Sequence, residues 1–98
     1  MFIKGSLREY ERSSCIAPVR YALSDINRDQ MKKIESIAVS VDISEGGIGI
    51  ITDYPLQQGH ILTFRDTEKI NGFPLKQAAI VRWAGKISGQ CRAGLKFL

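Results

Sequence analysis

The sequence has few of the residues on which many classes of protein depend. Its 98 residues include only two cysteines, one histidine, one tryptophan and three prolines. Two cysteines without CxxC spacing do not form a zinc site, and one histidine supports neither a metal cluster nor a histidine relay. No run of about 18 apolar residues occurs, so the sequence predicts no helix that inserts into a membrane.

The start of the chain, residues 1–6, lacks the long apolar stretch of a secretory signal, so we expect a cytoplasmic protein. In that reducing compartment Cys15 and Cys91 are predicted to be small, buried, free thiols. The alternative is a disulfide between them, which requires the first and last strands to pair.

Composition describes one small folded domain of ordinary apolar and charged content, with 44% hydrophobic and 24% charged residues. Its formal net charge of +4 favours an anionic partner. The charge is too small and too scattered to indicate duplex nucleic acid, so we predict no DNA binding.

Alternation with a period of two predicts strands along most of the chain. Ala17, Val19, Tyr21 and Leu23 define the first strand. The polar residues 24–33 predict a loop, with one helical turn near Gln30–Lys33 as an alternative.

The next strand carries two distinct faces. Ile37, Val39, Val41 and Ile43 are predicted to face the core, and the opposite face holds Ser36, Ala38, Ser40, Asp42 and Ser44. Asp42 and Ser44 are therefore expected to point outward together. Gly46 and Gly47 are expected to form a turn with positive φ.

Later turns at Pro55 to Gly59, Asn71 to Pro74 and Ser88–Gly89 separate further strands. The pattern predicts an all-β fold, a small six-stranded antiparallel β-barrel over residues 14–98. Residues 1–13 are polar and aperiodic, so we predict an N-terminal arm that is flexible without ligand.

Nothing in the sequence selects a catalytic group. His60 stands alone beside a turn, and the serines Ser13, Ser14 and Ser44 have no base in their sequence context. The carboxylates are scattered, mostly in turns, so we predict a protein that is not an enzyme and needs no cofactor or metal.

Two segments carry groups that suit an anionic nucleotide. Arg8 and Arg12 offer two guanidinium groups four residues apart, which can bind phosphate or a guanine edge. Asp42 can accept hydrogen bonds from guanine N1–H and N2–H, Ser44 can bond phosphate or base, and Gly47 leaves the backbone open. The simpler interpretations are a solvated helical turn for the arginines and a β-turn for the second segment.

In this order the two segments resemble the PilZ domain, a bacterial receptor family for cyclic di-GMP. Its RxxxR motif matches Arg8 and Arg12, and its (D/N)xSxxG motif matches Asp42, Ser44 and Gly47. Further similarity lies in Pro18 to Tyr21, Val81 to Trp83 and Gly94 to Phe97. Members often carry an arginine just before RxxxR, where this chain has Leu7.

The resemblance implies a receptor that binds cyclic di-GMP through these five residues, orders its arm and signals to an effector protein. One nucleotide per chain is expected because of Leu7, unless Arg65 or Arg82 reaches the site. Two alternatives stay open: a PilZ-like protein-interaction module that binds no nucleotide, and a barrel for single-stranded nucleic acid, which would need an aromatic stacking surface.

Overall fold

The computed structural model describes residues 13–27, 30–65, 69–70 and 72–98, and within these ranges every regular element is a β-strand. In chain order the strands are β1 (Ser13–Asn27), β2 (Gln30–Ile43), β3 (Gly47–Thr52), β4 (Ile61–Phe64), β5 (Lys69–Ile70), β6 (Phe73–Pro74), β7 (Ala78–Ile87) and β8 (Gln90–Phe97). The described residues contain no helix long and apolar enough to cross a membrane.

Six of the strands close into a barrel in the order β1-β2-β3-β8-β7-β4, and every neighbouring pair is antiparallel. The predicted six-stranded antiparallel barrel is confirmed. Closure pairs β4 with β1, which leaves the barrel without an open sheet edge. β5 and β6 form a separate two-stranded ribbon in the region where the sequence predicted a loop.

The barrel is filled by the inward residues of its strands. Val19, Tyr21 and Leu23 of β1 are buried, as the alternation predicted, and so are Leu62 and Phe64 of β4. The hydroxyl of Tyr21 shares a 2.7 Å hydrogen bond with Thr52 Oγ1, so the largest buried side chain leaves no polar atom unsatisfied at its tip.

The predicted faces of β2 are wrong over residues 36–40. Ile37 and Val39 are 61% and 41% exposed, whereas Ala38 and Ser40 are buried. A serine is tolerated inside because Ser40 Oγ accepts a 3.1 Å hydrogen bond from the backbone N–H of Ala17. The β2–β3 register shifts between Ser40 and Asp42, and this bulge at Val41 turns Ile43 inward again.

The predicted loop over residues 24–33, with its alternative helical turn, is also wrong. β1 and β2 remain paired as far as Asn27 and Gln30. β1 pairs with β4 only at Tyr21 to Leu23, so the rest of this hairpin extends beyond the closed barrel. Polar residues are compatible with a strand there because the core does not continue under it.

The last strand does not pair with the first, so the disulfide alternative loses its premise. β8 lies between β3 and β7, and Cys91 is a buried free thiol. Its Sγ lies 3.9 Å from the carbonyl oxygen of Leu56. Cys91 therefore behaves as the small buried hydrophobe that the sequence predicted.

Candidate ligand-binding site

The acidic motif spans the connection between β2 and β3. Asp42 is the penultimate residue of β2, Ser44 follows the strand, and Gly47 begins β3. The connection is closed by a 2.9 Å hydrogen bond from the N–H of Ser44 to the carbonyl oxygen of Gly47. Ser44 Oγ also accepts from the N–H of Gly46 at 3.2 Å, which holds the turn between them.

Asp42 and Ser44 are less exposed than residues on an open outer face. Ser44 is buried, with 4% of its surface exposed, and Asp42 is half-buried with its Oδ1 atom buried. The bulge at Val41 returns Ile43 to the core, which leaves its neighbours Asp42 and Ser44 on the outer side of the barrel wall. Both residues line one cleft on the barrel surface.

The predicted positive φ at Gly46 and Gly47 is also wrong. Among the described glycines, the left-handed region is occupied by Gly59, Gly72 and Gly89. Gly47 is required for another reason, since a Cβ on it would overlap the carbonyl oxygen of Leu95 on β8. The motif glycine thus permits close approach of two backbones, whatever further role it has toward a ligand.

The cleft beside the motif is open and has a volume of about 880 Å³. Its charged lining consists of the acidic Asp42 and Glu45 and the basic Lys76, Arg82, Arg92 and Lys96, so positive charge predominates. Trp83 also lines it and is 51% exposed. The cleft therefore offers carboxylate, hydroxyl, cations and an aromatic face together.

Four residues cross neighbouring strands in one row at the cleft. Asp42 of β2 pairs with Gly49 of β3, Gly49 pairs with Gly94 of β8, and Gly94 pairs with Trp83 of β7. Bulges immediately precede both ends of the row, at Val41 and Arg82. The two side chains that bear chemistry thus flank a pair of residues that have no side chain.

The structure places the other sequence candidates as follows. Arg8 and Arg12 lie outside the described residues. Arg82 lines the cleft, whereas Arg65 forms an ion pair with Glu35 elsewhere on the surface. One ligand per chain was expected because of Leu7, unless Arg65 or Arg82 reaches the site. Of these two arginines, Arg82 lines the cleft.

Sequence reasoning missed Trp83, Arg92, Lys96 and Lys76 as site residues. They lie on β7, β8 and the segment before β7, and the pairing of β3 with β8 and of β8 with β7 brings them near β2. The segments Val81 to Trp83 and Gly94 to Phe97 carried the available signal, since both contributed to the family resemblance. In the described part of the chain, no three His, Cys, Asp or Glu residues cluster as metal ligands.

Comparison with models of known protein families matches the PilZ domain over residues 6–98. No curated protein matches the chain. The family match covers nearly the whole chain and includes both arginines of the N-terminal segment and the Asp42 motif. The chain belongs to the PilZ domain family.

Proposed function

We propose that this PilZ domain is a non-catalytic receptor for cyclic di-GMP, and that the cleft between β2 and β7 is its binding site. The observation that carries the proposal is the composition of this cleft. Asp42 and Ser44 of the motif share it with Arg82, Trp83 and three further basic residues. PilZ domains are typically non-catalytic receptors, and cyclic di-GMP is the ligand of the family in general.

Each chemical part of the ligand has a counterpart among the lining residues. The two phosphates of cyclic di-GMP are anionic, and guanidinium and ammonium groups on β7 and β8 can bind them with charge-assisted hydrogen bonds. The Asp42 carboxylate can accept from guanine N1–H and N2–H. The exposed face of Trp83 can stack on a purine, a contact typically worth about 1–3 kcal/mol per base.

Ser44 is suited to a single donated hydrogen bond. Its Oγ already accepts from the N–H of Gly46, so the hydroxyl hydrogen can be directed at a phosphate oxygen. Its burial means that the ligand has to reach the wall of the cleft to receive that bond.

Arg8 and Arg12 are proposed to complete the site from the N-terminal arm. The first described residue of β1, Ser13, pairs with Ile43, and Ser14 pairs with Asp42. The arm therefore joins the barrel beside the motif strand. We propose that ligand binding orders the arm over the cleft, and that the resulting surface is read by an effector protein in the cytoplasm.

Calorimetry with cyclic di-GMP tests the proposal. Each arm arginine is expected to contribute about 1–3 kcal/mol, so Arg8→Ala or Arg12→Ala should weaken binding by roughly tenfold to a hundredfold. Arg65→Ala is the matched control, because Arg65 is an exposed arginine away from the cleft. If the folded wild-type domain shows no binding at hundred-micromolar concentrations, the alternative of an interaction module without nucleotide replaces the receptor.

A further inference from the structure

The row of four residues across β2, β3, β8 and β7 contains two glycines. Side chains of neighbouring residues fill the space that a side chain on either glycine would need. A Cβ built on Gly49 would lie 2.7 Å from Asp42 Oδ1 and 3.3 Å from both Asp42 Cγ and Val41 Cγ2, so its closest contact is the carboxylate. Both distances are shorter than the separation of about 3.5–4.0 Å at which such atoms attract. The Asp42 carboxylate therefore lies across the bare backbone of Gly49.

Gly94 has the same relation to Trp83. A Cβ on Gly94 would overlap the indole at Nε1 and Cε2 and lie 2.9 Å from Cζ2. The indole thus rests on the Gly94 backbone, and Trp83 is about half exposed and lines the cleft. Because Gly49 and Gly94 pair directly, the carboxylate and the indole lean toward each other over adjacent strands.

We propose that Gly49 and Gly94 are positioning residues of the cleft, where Gly49 sets the Asp42 carboxylate and Gly94 sets the Trp83 indole. Neither glycine is part of the RxxxR or the (D/N)xSxxG motif. The inference rests on the proposed function, and assigns guanine recognition to the Asp42–Gly49 pair and base stacking to the Trp83–Gly94 pair.

The two glycines differ from Gly47 in what a methyl group would displace. At Gly47 the overlap is with a backbone carbonyl, which has to move with its strand. At Gly49 and Gly94 the overlap is with side chains that have a solvent-accessible cleft beside them. Alanine at either position should therefore leave the barrel folded and move one functional side chain.

The experiment compares Gly49→Ala and Gly94→Ala with Gly85→Ala, which is the matched control because a Cβ there meets no atom within 4 Å. Each variant is titrated with cyclic di-GMP and with its inosine analogue, which lacks the N2 amine that Asp42 would recognise. Gly49→Ala should reduce the preference for cyclic di-GMP over the analogue by about tenfold or more. Gly94→Ala should weaken both ligands by a similar factor, because stacking tolerates either base. An unchanged preference in Gly49→Ala would overturn the assignment of Gly49.

Two further measurements need no ligand, so they separate failure of this proposal from failure of the proposed function. Trp83 is the sole tryptophan, and Gly94→Ala should shift its fluorescence emission while Gly49→Ala and Gly85→Ala leave it unchanged. An unchanged emission in Gly94→Ala would overturn the role of Gly94.

The second measurement is a thermal double-mutant cycle between Asp42→Ala and Gly49→Ala. The melting-temperature loss caused by Gly49→Ala should shrink or vanish once the Asp42 side chain is gone. If Gly49→Ala alone does not fold, the double variant should restore folding. Equal losses in both backgrounds, or a double variant that also fails to fold, would overturn the role of Gly49.

Discussion

The position of Arg82 in the cleft raises the expected number of ligand molecules per chain above the one expected from Leu7. Leu7 stands where related domains often have an arginine, so the arm lacks a cation that could help hold a second ligand. Arg82 lies at the bulge of β7 on the cleft wall, beside the basic residues Arg92 and Lys96. Two cyclic di-GMP molecules would carry four phosphate charges, which these cations are placed to neutralise in the proposed site.

We therefore expect two ligand molecules per chain in the wild type and one in Arg82→Ala, measured as the calorimetric ratio. Affinity should also fall by roughly tenfold to a hundredfold, because a charge-assisted hydrogen bond contributes about 1.5–3 kcal/mol. Arg65→Ala should retain both the ratio and the affinity. A wild-type ratio of one would show that Leu7 limits the site after all.

Substitution of Gly47 should destabilise the fold itself, in addition to any effect on ligand binding. The overlap of an added Cβ with Leu95 O forces β3 and β8 apart, a strain typically costing about 1–3 kcal/mol. Gly47→Ala should lower the free energy of unfolding by that amount in chemical denaturation without ligand, whereas Gly85→Ala should change it little. Equal stability of the two variants would contradict the structural role of Gly47.

The inward residues of β4 were predicted from sequence, whereas those of β2 before its bulge were not. Leu62 and Phe64 of β4 face inward as expected, since nothing interrupts the period of two. Along β2 the bulge at Val41 reverses the relation between the first half of the strand and its end. A bulge inserts one residue without a composition signal of its own, so sequence periodicity cannot locate it.

Only part of the candidate site was predictable from the sequence. The residues contiguous in sequence, Asp42, Ser44 and Gly47, were identified from their motif. The residues contributed by β7 and β8 were not, because their proximity to β2 depends on the strand order of the closed barrel. The half-exposed position of Trp83 over the bare Gly94 depends on the bulge in β7, which the sequence does not indicate.

The N-terminal arm remains a prediction, because Arg8 and Arg12 lie outside the described residues. Its polar, aperiodic sequence predicts low amide protection without ligand. Ordering costs about 1–2 kcal/mol per backbone residue, which offsets part of the arginine contacts and favours a moderate affinity. Hydrogen exchange around Arg8 to Ser13 should slow on addition of cyclic di-GMP. Equal exchange in both states would leave a receptor without this switch.

For the molecule as a whole, the strand order of the barrel brings distant parts of the chain together at one surface. β2 and β7 are separated by β3 and β8, yet their bulges present Asp42 and Trp83 to one cleft. The mild net charge of +4 agrees with a small anionic ligand, and four basic side chains of the described chain line this cleft. The central claim is that cyclic di-GMP binds at this surface.

Titration of the ¹⁵N-labelled protein with cyclic di-GMP, followed by amide and indole NMR shifts, tests that claim most directly. We expect the largest shifts at Asp42 to Gly49, at the indole N–H of Trp83 and at Arg92 to Lys96. The amides of Gly59 to Ile61 line a separate depression and should stay unchanged. Shifts confined to that second surface, or none at Asp42 and Trp83 under saturating ligand, would contradict the account.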